Sequence, residues 1–320
     1  MSINAYLFYP LALYAFSQTM YQLYMLPNYV EYLKNESPGC YYTNPNKLSL
    51  FVGVLFIQIC IQFPVMSITR SIFMKILPDK FPVGSKIREE KAEVIGERMY
   101  KLFIYSIATI GQFFILKQSK FLHVLLWGDQ WDPEYFPNYP CVKIPTMLDD
   151  LYVLKISFHS YETLYSIVFM RKRRDFPEYI LHHIITLGLV LFSYCTNQLS
   201  LGAVVMVTHD FTDCLVSVFK IFSDVVGKTW QYVSVFSMIL GWIYFRLWFF
   251  QYYVIYKYYT LNSNTEHYVL KNTFYFFFTF ICALSVLNWF WFSLMVKGIY
   301  SRVFKTSNEL LYQMSKEKLN

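Results

Sequence analysis

Charge is what this sequence has least of. Asp, Glu, Lys and Arg make up 15% of its 320 residues, against about 25% in an ordinary soluble domain. An ordinary soluble globular class is excluded on that ground. The six cysteines show no paired, zinc-type spacing. There is no glycine-rich phosphate loop, no internal repeat and no low-complexity tract. The first apolar segment has no basic stretch ahead of it, so it is not an ordinary signal peptide. What is abundant is apolar and aromatic: 56% of residues are hydrophobic, with 29 Tyr and 31 Phe. That mixture suits helices with fatty middles and wet ends. The fold class is therefore an all-α polytopic membrane protein. The net charge of +7 reads as the Lys and Arg of cytoplasmic loops. Nucleic-acid binding is disfavoured, because the basic residues fall in short loops between spans.

Seven apolar stretches have the length of a membrane crossing: 49–69, 100–118, 149–170, 178–195, 199–222, 231–256 and 272–296. Residues 5–26 form a weaker eighth, either a span or an interfacial helix. Loop 70–101 mixes acids and bases at helical spacing and reads as an amphipathic connector. Residues 70–101, 171–174, 220–228 and 297–320 carry 19 Lys and Arg, and the opposite loops carry 7. The positive-inside rule places the first set, with the C-terminus, in the cytosol. Three details fit that topology. Asn35-Glu36-Ser37 is a glycosylation sequon in a lumenal loop. Cys40 and Cys141 are two lumenal cysteines able to pair. Lys316 and Lys318 near the C-terminus look like a dilysine address to the endoplasmic reticulum.

The stretch from Arg171 to Asp213 concentrates the chemistry. Its two apolar segments hold His182 and His183, then His209, Asp210 and Asp213. An Asp at a bilayer centre costs roughly 2.5–3.5 kcal/mol on insertion scales, so such residues are rare without a function. Helical spacing places Glu178, His182 and Thr186 on one stripe, and His209 and Asp213 on another. A short turn, Thr196 to Leu199, joins the two helices as antiparallel neighbours. His182 then lies roughly 9 Å in from the cytosolic end and Asp213 roughly 13 Å, at about 1.5 Å per residue. At these depths imidazole and carboxylate are expected to hydrogen-bond. His159 and Glu162 either line the same cavity or bond each other.

An Asp that orients a His equips it as base or nucleophile, which suits acyl transfer to an amine or alcohol. The basic mouth Arg171, Lys172, Arg173 and Arg174 is most simply a topology determinant. It also suits phosphates, and phosphates ahead of a fatty tail describe acyl-CoA. Two rival readings stand beside this one. Membrane histidines also serve helix packing, as in a non-catalytic scaffold or lipid carrier. Three His and two Asp also suit iron or zinc in a lipid hydroxylase. Against metal, adjacent histidines are poorly placed for one ion, and the HxxHH boxes of membrane desaturases are absent.

Arg174-Asp175-Phe176, His182-His183, and His209-Asp210 with Asp213 resemble the signature of the ceramide synthases of the TLC domain family. Glu97-Arg98-Met99-Tyr100, Phe192-Ser193-Tyr194, Lys220-Ile221-Phe222, Trp230, Arg246-Leu247 and Asn288-Trp289-Phe290-Trp291 extend the resemblance over roughly residues 95–300. The chain departs from the family at Asn288, where many members have His, and in lacking a homeobox-like domain in loop 70–101. The resemblance implies N-terminal segments and a connector over 1–94, a catalytic domain over 95–300 and a cytosolic tail over 301–320. It implies a helical barrel of six core spans plus one or two N-terminal segments, around a lipid cavity. It implies transfer of a fatty acyl group from acyl-CoA, a co-substrate with no further cofactor or metal, to the amine of a sphingoid base. A dimer in the endoplasmic reticulum membrane, among membrane lipids, is implied as well. The expected catalytic set is His182, His183, His209, Asp210 and Asp213. The expected substrate-binding set is Arg173, Arg174, Asp175, Glu178, Thr186, Arg246 and Trp291. In this family the last lumenal loop, here about Thr260 to Lys271, is implicated in the choice of acyl length.

Overall fold

A computed structural model describes residues 3–38, 40, 47–119, 141, 144–171, 173, 175–262 and 268–304. The chain runs α1 (Ile3–Glu36), α2 (Leu48–Ile76), α3 (Lys86–Leu116), α4 (Leu148–Phe169), α5 (Phe176–Cys195), α6 (Leu199–Val225) and α7 (Lys228–Gly241). It continues as a π-helix (Trp242–Tyr256), then α8 (Lys257–Asn262) and α9 (Tyr268–Phe304). No strand occurs among the described residues. Six of these stretches are long and apolar enough to cross a membrane: α2, α3, α5, α6, α7 through α8, and α9. The molecule is an all-α polytopic membrane protein.

Neighbouring contacts run α2–α3–α6–π-helix–α9–α5–α4 and back to α2. This closes a ring, with α1 laid outside the α5–α9 seam. Six helical passes run from α3 onward, as expected of the core, but α2 stands between α3 and α4 in the wall, so of the two N-terminal segments only α1 lies outside the ring. Helix α4 falls short on hydropathy because it carries Asp149, Asp150, Lys155 and Glu162. Of these, Asp149, Lys155 and Glu162 are buried, so α4 turns its charge inward, away from lipid.

Segment 5–26 is not among the stretches apolar enough to cross a membrane, but it is long. It belongs to a 34-residue helix, about 51 Å long at 1.5 Å per residue. Phe8 meets Phe290 edge-on, and Tyr29 and Leu33 cluster with Leu270. Helix α1 therefore runs from the basic end of the bundle to the opposite end. There Cys40 and Cys141 form a disulfide with Cα atoms 4.8 Å apart, and Asn35 is exposed in the last turn of α1. Lys316 and Lys318 lie outside the described residues.

The expected connector 70–101 is mostly absorbed into helices. Helix α2 continues to Ile76 and α3 starts at Lys86, so a boundary at 94/95 falls inside α3. The Ser85 hydroxyl caps α3 by accepting from the Arg88 amide at 3.3 Å. The two helices then approach closely at Gly96, where a Cβ would stand 2.9 Å from the Met66 carbonyl oxygen. Only a residue without a side chain fits there.

Candidate active site

Helices α5 and α6 are antiparallel, as expected, but they make few contacts with each other beyond their turn. They face each other across the ring with a cavity between them. This inner cavity is lined by His159, His182, His183, Thr186, His209, Asp210 and Asp213, with Lys155 from α4 and Tyr105 from α3. The rest of its wall is mainly apolar, including Leu189, Leu201, Val205, Phe250, Phe277 and Ile281. A second, outer cavity of ≈ 510 Å³ opens at the basic end, within the roughly 300–1,000 Å³ typical of ligand sites. Lys91, Arg98, Lys101, Arg173, Lys220 and Arg246 line it, against Asp175 and Asp213. Tyr105, His182, His183 and Asp213 line both cavities. They mark the waist where an ionic mouth meets a greasy slot.

The carboxylates do not orient His182, and here the structure corrects the sequence expectation. Lys155 holds both oxygens of Asp210 at 2.7 Å, and the Gln112 amide donates to the same carboxylate. Arg246 donates to Asp213 at 2.6 Å, to the Thr212 hydroxyl at 2.7 Å, to the His209 carbonyl at 3.0 Å and to the Asn288 side-chain oxygen at 3.3 Å. Among the described residues no hydrogen bond joins His182 to either Asp. The cause is the ring: a cavity separates the two helices, and α4 and the π-helix bring cations to the α6 carboxylates. Asp210 and both cations are buried and Asp213 is half-buried; each carboxylate faces one cation, the pairing that charges taken out of water require.

The imidazoles are left with lone pairs to use. His209 donates from Nδ1 to the Val205 carbonyl at 2.9 Å. A carbonyl only accepts, so that bond fixes the tautomer and leaves Nε2 as the free acceptor. His209 Nε2 is buried without a partner among the described residues, as are both ring nitrogens of His183. His183 packs edge-on against Tyr179, whose hydroxyl accepts from Lys101 at 2.8 Å. His182 Nδ1 lies 3.4 Å from the Thr186 hydroxyl, and its ring meets Trp291 edge-on at 5.1 Å.

The expected binding residues divide. Arg173, Asp175, Arg246 and Trp291 line the outer cavity, and Thr186 lines the inner one. Glu178 lines neither; it is buried in the first turn of α5. Each four-residue step along a helix turns the face by about 40°, enough to carry Glu178 off the His182 stripe. Lys172 and Arg174 lie outside the described residues, as does 263–267 of the last loop. His159 lines the cavity, while Glu162 instead pairs with Lys101 at 3.4 Å. Arg173 and Asp175 form a two-bond ion pair at 2.9 Å. Burial works against the charged Asp175, but those bonds and the Arg173 charge outweigh it and hold the carboxyl below its ordinary range. Sequence reasoning gave no role to Lys101, Gln112 or Lys155. Their signal was present: polar groups on helices that otherwise read as apolar. Among the described residues no group of three His, Cys, Asp or Glu is placed to hold a metal ion.

A family model described as the TLC domain matches residues 95–297. The chain is 30% identical to mouse ceramide synthase 4 over 215 residues, which is 65% of this chain and 51% of that protein. It is 24% identical to the Caenorhabditis elegans ceramide synthase hyl-2 over 303 residues, 88% of each. With the yeast ceramide synthase LAG1 it shares 24% identity over 257 residues, 74% of this chain and 58% of that protein. The chain thus spans about half the length of the mammalian relatives and most of the nematode one.

Proposed function

Because the chain belongs to the TLC domain family, we propose that it is a ceramide synthase. It moves a fatty acyl group from acyl-CoA to the amine of a sphingoid base. The observation that carries this reading is the waist: His182 and His183 stand where a cation-rich chamber meets an apolar slot. Such a division matches a substrate with phosphates at one end and hydrocarbon at the other. The outer chamber takes the nucleotide, held by Arg173 and the cations that line it beside Arg173. The thioester lies at the waist and the acyl chain in the slot.

In the reaction the amine nitrogen bonds to the thioester carbonyl carbon, the carbon–sulfur bond breaks, and one amine proton ends on the departing sulfur. His182 serves either as base for that proton or as the nucleophile that first accepts the acyl group. His183 and His209 support it with their free nitrogens. Asp210 and Asp213 act through the cations they hold: Lys155 is fixed on the inner side of the waist and Arg246 on the outer side, where Arg246 faces charge that develops on the thioester oxygen. Acyl-CoA is the co-substrate, and no metal enters the reaction. The protein resides in the endoplasmic reticulum membrane as a dimer, with the basic end in the cytosol.

Purified protein incubated with acyl-CoA and a sphingoid base is expected to yield the N-acyl product, read by mass spectrometry. His182→Ala is expected to lower the rate roughly 10²-fold or more, the scale of general-base loss, with an unchanged melting temperature. Ceramide formation retained by that variant would remove His182 from the chemistry. A mass increment on His182 with acyl-CoA alone distinguishes nucleophile from base.

A further inference from the structure

We infer that the α5–α6 turn plugs the inner cavity and bounds the depth open to the acyl chain, favouring donors of roughly 14–16 carbons. The inference rests on the acyl-transfer reading and deepens it. A turn at the end of a membrane bundle is ordinarily exposed. Here Thr196, Asn197, Leu199 and Ser200 are each no more than 4% exposed. Side chains lock the plug. The Tyr152 hydroxyl donates to the Leu199 carbonyl at 2.7 Å and lies 3.1 Å from the Ser193 hydroxyl. Ser193 in turn donates to the Gln198 carbonyl. A Cβ at Gly202 would collide with the Tyr152 and Ser193 oxygens, so the glycine lets this latch close against α6. Ser193, Gln198 and Gly202 line the cavity's far end.

Length follows from helix geometry. His182 and Ser193 are eleven positions apart on α5, about 17 Å at 1.5 Å per residue. An extended alkyl chain advances about 1.25 Å per bond, given carbon–carbon bonds of about 1.5 Å. Some 13 bonds therefore separate a carbonyl at the waist from a methyl at the latch. The slot is narrow, with a volume of ≈ 80 Å³, so a chain enters as its Leu, Met and Phe side chains swing aside. The backbone positions that fix depth need not move. The latch is also polar, so a methyl gains nothing by pressing into it.

The test is competition. The full chain receives an equimolar series of saturated acyl-CoAs from 12 to 26 carbons with one sphingoid base, and products are read by mass spectrometry. The native protein is expected to peak at 14–16 carbons and to fall at least tenfold by 24. Leu189→Phe and Leu201→Phe fill the slot from opposite walls, and each is expected to move the peak down by two to four carbons. Tyr152→Phe removes the latch hydroxyl and is expected to raise the share of products above 18 carbons. Ceramide formed with a native peak at 22 carbons or more overturns the plug, as does a peak that neither phenylalanine variant moves while turnover persists. No N-acyl product from any donor overturns the transferase reading itself.

Discussion

The residues that decide the centre come as pairs: Lys155 with Asp210, and Arg246 with Asp213. Removing one partner of a buried pair leaves an uncompensated charge, at a cost of about 3–5 kcal/mol. Lys155→Met is therefore expected to lower the unfolding temperature sharply. Lys155→Met with Asp210→Asn is expected to recover much of it without recovering activity; thermal unfolding beside the acyl-transfer assay checks both. A milder pair sits outside the bilayer. Asp175 has its carboxyl pKa lowered by Arg173, so its contribution is present above the ordinary carboxylate range. It is lost as pH falls through the lowered value. Asp175→Asn is expected to flatten that part of the stability–pH curve. At this scale the sequence singled out residues that the fold gathers round the cavities and hid whom they meet. His and Asp stood out because charge in an apolar segment is costly. Their partners are 55 and 33 positions away on other helices, and helical periodicity shows a stripe without showing which wall faces it. Placing α5 and α6 side by side because a short turn joins them produced the mistaken His–Asp bond.

Among the elements, the end of α2 shows how a polar side chain replaces a missing cap. Helix α2 stops at Ile76, and its last carbonyls have no partners within the helix. Arg88, only 2% exposed, reaches back from α3. It donates to the Met74 carbonyl at 2.7 Å, Leu77 at 2.8 Å, Phe81 at 2.6 Å and Lys75 at 3.3 Å. A hydrogen bond to a charged group is worth roughly 1.5–3 kcal/mol. Arg88→Ala is expected to cost at least about 3 kcal/mol on that scale, seen as a lower melting temperature. The turnover of the protein that remains folded is expected to be unchanged, since Arg88 lines neither cavity. In the sequence Arg88 was one charge among several in an amphipathic connector; only the hairpin of α2 and α3 gives it a purpose. The spans themselves were legible, because lipid-length apolar runs leave few alternatives. The π-helix from Trp242 to Tyr256 was not, since periodicity cannot separate it from α-helix over one span. It carries Arg246 inward, in keeping with the tendency of π-helical turns to occur at functional sites.

For the whole molecule, the disulfide is the one covalent fact about sidedness. Cys40 and Cys141 are 101 positions apart, and their bond encloses α2 and α3 in one loop. Closing a loop of about 100 residues removes up to about 4.7 kcal/mol of unfolded-state entropy in the chain-entropy model. Such bonds persist in oxidising compartments and are rare in the cytosol. The end that carries this bond also carries the exposed sequon residue Asn35, while the opposite end gathers the cations of the outer chamber. Under the proposed function one orientation accommodates all three: disulfide end in the lumen, basic mouth toward the cytosol, from which acyl-CoA would enter. In sealed microsomes, an endoglycosidase is expected to shift the protein's mobility only after permeabilisation. Cys40→Ser with Cys141→Ser is expected to lower the melting temperature by several degrees and to leave the acyl-length profile in place, because the slot ends at the α5–α6 turn. A membrane-impermeant thiol reagent that reached Cys40 in the reduced protein from the cytosolic side would invert the orientation, and with it the route proposed for acyl-CoA.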